Sequence, residues 1–187
     1  MRATGPGQPA HLLLDVVDHL AQRHIPYAVV GAFGVSFHGL PRFTDDADAR
    51  VWLSRTGLSP ADLQHALAAS GYRCELRRGD TDDPILGVLV VHDDHGNRLD
   101  LLLGVRGMDP AAADRAIATS LLGSPVRILG AEDLVAMKAF AGGVQDLEDA
   151  RGILDVSKDH LDLDLVRALC RRYGRDVART CEALMTP

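Results

Sequence analysis

The stretch from Asp46 to Leu53 alternates polar and apolar residues as a strand does. A period of two puts Asp46, Asp48, Arg50 and Trp52 on one face and Ala47, Ala49, Val51 and Leu53 on the other, so two carboxylates stand close enough to share a cation. Asp45 falls on the opposite face from Asp48 and reads as a bystander. Asp100 is the odd residue in the otherwise apolar run Leu99 to Leu103, where an ionised carboxylate is costly to bury without a positive partner. A divalent cation is such a partner. Hard oxygen ligands favour Mg²⁺, with Mn²⁺ the alternative, and Mg²⁺ also binds substrate phosphates. Two such ions can activate an attacking hydroxyl and stabilise a leaving pyrophosphate. Upstream, the apolar run Tyr27 to Val30 stops at Gly31-Ala32, and the N–H groups that open the following short helix offer an anion site for phosphates. Ser36 and Thr44 are placed either to donate to phosphate or to act as local caps, and Arg42, in the loop just ahead of the carboxylates, is either a contact to the triphosphate or a solvated loop residue. The bland alternative is that Asp46, Asp48 and Asp100 are solvated strand residues.

The elements that must position these groups follow from periodicity and from Gly and Pro punctuation. A first amphipathic helix spans His11 to His24 and is ended by Pro26; Ala32 to His38 forms a second, closed by Gly39 and Pro41. Ser59-Pro60, a cap followed by Pro, starts a helix that runs to about Ser70. Tyr72 to Leu76 reads as a strand and Arg77 to Pro84 as a loop. Leu86 to His92 and Arg98 to Leu103 read as a hairpin around Asp93-Asp94-His95-Gly96-Asn97. His92 and His95 in that hairpin have no cysteine partner nearby, which leaves a polar turn rather than a zinc site. Asp109-Pro110 opens another short helix, and Val126 to Leu129 is a further strand. From Ala131 the pattern is helical only: 131–141, 145–156, 163–173 and 175–185. Arg167, Arg171, Arg175 and Arg179 recur every four residues, but Gly174 interrupts the stripe, so it reads as two solvated helix faces.

The expectation is an α/β (α+β) fold with a mixed central sheet flanked by helices, followed by a helical bundle. It divides into a loose Gly- and Pro-rich tail over 1–9, an α/β core over 10–130, and a helical region over 131–187 that completes the site. The tail lacks the apolar segment of a signal peptide. No apolar run approaches the roughly 18 residues of a membrane span. Three scattered cysteines, Cys74, Cys170 and Cys181, suit a reducing cytoplasm better than a disulfide framework. The formal net charge of −6 argues mildly against a protein that holds nucleic acid through its phosphates, without excluding a local basic groove.

The run Gly31-Ala32, then Gly39-Leu40-Pro41-Arg42-Phe43-Thr44-Asp45-Asp46-Ala47-Asp48, with Asp100 later, resembles the polymerase-β-like nucleotidyltransferases. Glu132-Asp133-Leu134-Val135-Ala136-Met137-Lys138, followed by Asp146-Leu147-Glu148-Asp149, is similar to the downstream motifs of the AbiEii/MenT-type toxin nucleotidyltransferases. The resemblance covers roughly 25–154. Ala32 replaces the family's second Gly or Ser, and Gly142 and Gln145 stand where basic residues often precede the second Asp motif. The resemblance implies transfer of a nucleoside monophosphate from a nucleoside triphosphate to the 3′ end of tRNA, with a cognate antitoxin as partner. Asp46, Asp48 and Asp100 would ligate Mg²⁺, and Asp100 would help deprotonate the attacking hydroxyl. Gly31, Ala32 and Ser36 would line the phosphates, while Lys138 and Asp146 would belong to the active site. Read on its own, Lys138 is either an exposed helix residue or a phosphate ligand. Asp146 and Asp149 either favour a helix dipole or, for Asp146, hold Lys138. Acceptors other than tRNA, namely a protein side chain or an aminoglycoside-like small molecule, remain open, as does a non-catalytic nucleotide-binding module.

Overall fold

In the computed structural model, which describes residues 2–186, the two strands that carry the aspartates pair directly. β2 (Asp46–Val51) lies parallel to β5 (Arg98–Val105), with Asp46 opposite Arg98 and Asp48 opposite Asp100. β1 (Tyr27–Val29), β3 (Arg73–Arg78), β4 (Ile85–His92), β6 (Ile117–Leu121) and β7 (Ser124–Ile128) complete the sheet. Among the described residues it has seven strands, in the order β3-β4-β5-β2-β1-β7-β6. β1 and β7 also pair in parallel and the other neighbours are antiparallel, so the sheet is mixed, as expected. Met1 and Pro187, the outer ends of the expected tail and helical region, lie outside the described residues.

Each sheet face has its own apolar layer, and the alternation of the strands sorts residues between them. α1 (Pro9–Gln22) and α3 (Pro60–Ala69) cover one face, where Leu12, Leu13, Val16, Leu20, Leu63 and Leu67 close over Val29, Ala47, Ala49, Leu99 and Leu101. α3 starts in a capping box between Ser59 and Asp62. The opposite layer is built on α2 (Gly31–Phe37), α4 (Ala112–Arg115), α5 (Ala131–Ala141), α6 (Val144–Ser157), α7 (Leu163–Tyr173) and α8 (Arg175–Met185). Val35, Leu134, Val135, Ile153, Val166 and Leu169 pack there against Ala28, Val30 and Trp52. This layer leaves β3 bare on that side, where Arg73, Glu75 and Arg77 are exposed. The polar face of β2 and β5 therefore lies at the margin of a helical layer, half-dry.

Several elements differ from the sequence expectation. α1 begins at Pro9, because a proline suits the first helical turn, and ends at Gln22. Residues 2–8, read as part of a loose tail, are pinned: Arg2 pairs with Asp15 and Asp18, Gln8 N–H donates to Asn97 Oδ1 and Asn97 Nδ2 donates to Gly5 O. The strand from Asp46 stops at Val51, and Leu53–Arg55 is a 3₁₀ turn. β6 had no sequence expectation at all. It is an exposed edge strand joined to β7 by Leu122-Gly123, both with positive φ, which is the signature of a tight hairpin turn.

Candidate active site

Asp48 is the centre of the site. The chain leaves β1 at Val30, whose N–H donates to Asp48 O at 2.9 Å, and turns into α2 at Gly31. Gly31 has φ +56°, and a Cβ there would lie 2.0 Å from Asp48 Oδ2. Only glycine permits both the backbone conformation and the approach. The loop ahead of β2 sets the next carboxylate, with Thr44 Oγ1 at 2.9 Å from both the backbone oxygen and Oδ1 of Asp46. Asp100 stands beside Asp48 through the strand register and is gripped by its neighbour on the same face, Arg98. Burial pushes the Asp48 carboxyl up to about 6, with the negative charges of Asp46 and Asp100 acting in the same direction and Lys138 and Arg98 opposing them.

The helical half closes on this face through a buried ion network. α5 ends at Gly142-Gly143 and α6 folds back, so that Asp146 and Asp149 both reach Lys138. Lys138 Nζ donates to Asp146 Oδ1 at 2.7 Å and lies 2.9 Å from Asp149 Oδ2. Arg42 Nη1 donates to the same Asp149 oxygen at 2.6 Å, and Gln145 donates to the other at 3.3 Å. Lys138 and Asp149 are both buried. Between Asp48 and Gly31 on one side and Lys138 and Asp146 on the other lies a cavity of about 320 Å³, walled by Ile85, Leu102, Val105, Met137 and Phe140.

The structure thus brings Gly31, Asp48, Lys138 and Asp146 to one cavity and sets Asp46 and Asp100 on the strands that form its edge. Ala32 is buried in the opening turn of α2. Ser36 is outside the lining of that cavity: it sits in the last turn of α2, and its Oγ accepts from Arg42 N–H at 3.1 Å. Arg42 and Thr44 line a separate recess of about 340 Å³ with His11 and Phe33. Two charged residues outside the expected set belong here. Sequence alone gives Asp149 a helix-dipole role, although its i, i+3 spacing from Asp146 is a signal. Arg98, two residues before Asp100, was signalled only by its parity in the strand. His92 and His95 take no part; Asp93 is buried and accepts from His95 N–H, Asn97 N–H and Asn97 Nδ2 in the hairpin turn.

The donor set suits a hard divalent cation, since it consists of carboxylate oxygens around a part-buried charge that the chain compensates only in part. Among the described residues, however, no three His, Cys, Asp or Glu side chains converge on one point as a finished metal cage. Asp46 is engaged by Thr44 and Asp100 by Arg98.

No protein-family model and no curated relative matches the chain. Solved structures do. ANT(2″)-Ia in complex with adenylyl-2″-tobramycin superposes with a TM-score of 0.58 at 17% identity, over 87% of this chain and 97% of that one. An antigenic nucleotidyltransferase-like protein from Paracoccidioides brasiliensis gives 0.53 at 16% identity, over 97% and 95%. The lincosamide antibiotic adenylyltransferase LnuA, lincomycin-bound, gives 0.50 at 12% identity, over 77% and 95%. No helix among the described residues is long and apolar enough to cross a membrane. The mixed sheet, its order and the placement of its helices give this chain the fold of the nucleotidyltransferases.

Proposed function

We propose that the protein is a Mg²⁺-dependent nucleotidyltransferase that moves a nucleoside monophosphate from a nucleoside triphosphate to an acceptor hydroxyl and releases pyrophosphate. One observation carries the reading: the Asp48 carboxylate, part-buried against Gly31 and flanked by Asp46 and Asp100 on paired strands, carries a charge that a divalent cation would offset. Asp46, Asp48 and Asp100 would hold Mg²⁺, or Mn²⁺ in its place. When bound, the ion supplies Lewis-acid polarisation of the phosphoryl oxygens and a more acidic attacking hydroxyl.

The acceptor oxygen forms its bond to the α-phosphorus as the bond from that phosphorus to the bridging pyrophosphate oxygen breaks. The hydroxyl proton passes to a carboxylate oxygen of Asp100. Gly31 and Ala32 let phosphate oxygens come close to the backbone where α2 opens. Lys138 provides fixed positive charge for the negative charge that grows on the leaving group, and Asp146 and Asp149 keep its ammonium in place. Thr44 orients Asp46, while Ser36 and Asp149 hold the Arg42 loop. The apolar wall of the cavity suits the flat faces of a base.

For the acceptor, the AbiEii/MenT resemblance supports the 3′ end of tRNA, with the protein acting in the cytoplasm as a toxin restrained by a cognate antitoxin. A small-molecule hydroxyl is the second reading, favoured by the fold's likeness to proteins bound to adenylyl-tobramycin and lincomycin. Purified protein incubated with Mg²⁺ and each α-³²P-labelled triphosphate in turn, with separate pools of tRNA, protein and aminoglycoside or lincosamide, separates them. Label on tRNA that disappears in Asp46→Ala supports the toxin reading, and label on the drug supports the second. Triphosphate binding with no transfer to any pool sinks the enzyme reading and leaves a nucleotide-binding module.

A further inference from the structure

A cation seated by Asp46, Asp48 and Asp100 competes for the charge and lone pairs of an Asp100 carboxylate whose two oxygens Arg98 already engages. Its Nε donates to Oδ1 at 2.8 Å and its Nη2 to Oδ2 at 2.6 Å. That bidentate fork is the geometry in which a guanidinium grips a carboxylate most firmly. The two residues stand at i and i+2 on β5, so the pleat puts them on one face, and the register sets Arg98 beside Asp46. Lys138, the other cation that acts on Asp48, is committed to Asp146 and Asp149. The Arg98 side chain is 39% exposed and that of Asp100 only 15%, so the guanidinium has a route to solvent that the carboxylate lacks.

We infer that Arg98 is a positioning residue that stands in for the divalent ion: it holds Asp100 in the metal-free protein and must release it before the three carboxylates can share a cation. The inference rests on the metal-dependent reading above. It gives Arg98 two effects of opposite sign. The guanidinium screens three neighbouring carboxylates from one another and so stabilises the metal-free fold. The same guanidinium competes with the ion, so the site binds metal more weakly than its three acids alone would. Occupancy then favours an ion that arrives with triphosphate oxygens completing its shell. A residue with a merely structural role would not behave this way, because its loss would weaken stability and metal binding together.

The test is Mn²⁺ binding, read as loss of the free-ion EPR signal, on the full chain as wild type, Arg98→Gln, Arg98→Lys and Asp48→Asn. Thermal melts in chelator and in Mg²⁺ accompany it. Arg98→Gln is expected to bind Mn²⁺ about three- to tenfold more tightly, the scale of a part-exposed charge-assisted pair. It should melt lower in chelator, with Mg²⁺ closing the gap, and Arg98→Lys should fall between. In wild type, the Arg98 Nε–H resonance should lose its exchange protection as Mg²⁺ is added, a readout that needs no variant to fold. Equal or weaker Mn²⁺ binding by folded Arg98→Gln, or an Nε–H signal indifferent to Mg²⁺, overturns the inference. If wild type still binds Mn²⁺ and Asp48→Asn does not, the metal-dependent reading survives that loss. Absence of Mn²⁺ binding in wild type and Arg98→Gln alike overturns both.

Discussion

At the residue scale, the site is a problem of like charge in a half-dry place. Asp48 titrates at about 6 in the folded chain against an ordinary 3.8. Between those values the folded chain binds more protons than the unfolded one, so stability falls as pH rises through that window. The penalty is complete above about 6 and absent below the ordinary value. Without divalent metal, Asp48→Asn should therefore be more stable than wild type near pH 8 by on the order of 2 kcal/mol, with the difference gone near pH 4. Urea titrations of both proteins at the two pH values check this, and a gap that widens on acidification would refute it. Gly31→Ala makes the complementary test, because its methyl would press on Asp48 and its φ would be strained. A loss of about 1–3 kcal/mol is expected, with transfer activity falling further than stability explains. Asp46 and Asp48 stood out by strand parity and Asp100 as the lone charge in an apolar run. Arg98 and Asp149 did not, because parity and spacing say which face a charged residue takes but not which partner it will grip.

At the element scale, the turn between α5 and α6 does the positioning. Lys138 meets Asp146 and Asp149 only because α6 folds back, and both Lys138 and Asp149 are buried. Removing one partner strands the others, so Lys138→Ala should cost about 3–5 kcal/mol in addition to its effect on activity. Adding Asp149→Asn to it should recover part of that loss, and denaturation of the double variant measures the recovery. A second element was hidden for a different reason. β6 is an exposed edge strand with no apolar alternation to announce it, yet its turn carries the signature of a tight hairpin in Leu122-Gly123. Leu122 holds φ +49° while exposed, so Leu122→Asn should stabilise the protein by about 0.5–1 kcal/mol. A lower melting temperature would count against that account of the turn. The buried helices and strands were readable because their periodicity is dictated by burial, which this edge strand escapes.

At the scale of the whole molecule, the site is where the sheet and the helical layer meet. Asp46, Asp48 and Asp100 belong to β2 and β5, whose apolar sides face the layer under α1 and α3. Lys138, Asp146 and Asp149 belong to α5 and α6, in the layer on the other face. A ligand that contacts both Asp48 and Lys138 across the cavity binds the two halves to each other and can bind neither once they separate. Nucleotide with Mg²⁺ should therefore stabilise the folded chain as a unit. At a hundredfold excess over its dissociation constant the gain is about 2.7 kcal/mol, or roughly 5–10 °C in melting temperature for a chain of this size. Calorimetry should show a single transition that moves with ligand concentration. The shift should vanish in Asp48→Asn, which removes a charge the ion needs, and should persist in Leu122→Asn, whose change lies in the β6–β7 turn. A shift retained in Asp48→Asn would mean that the triphosphate is held elsewhere than across the aspartate strands.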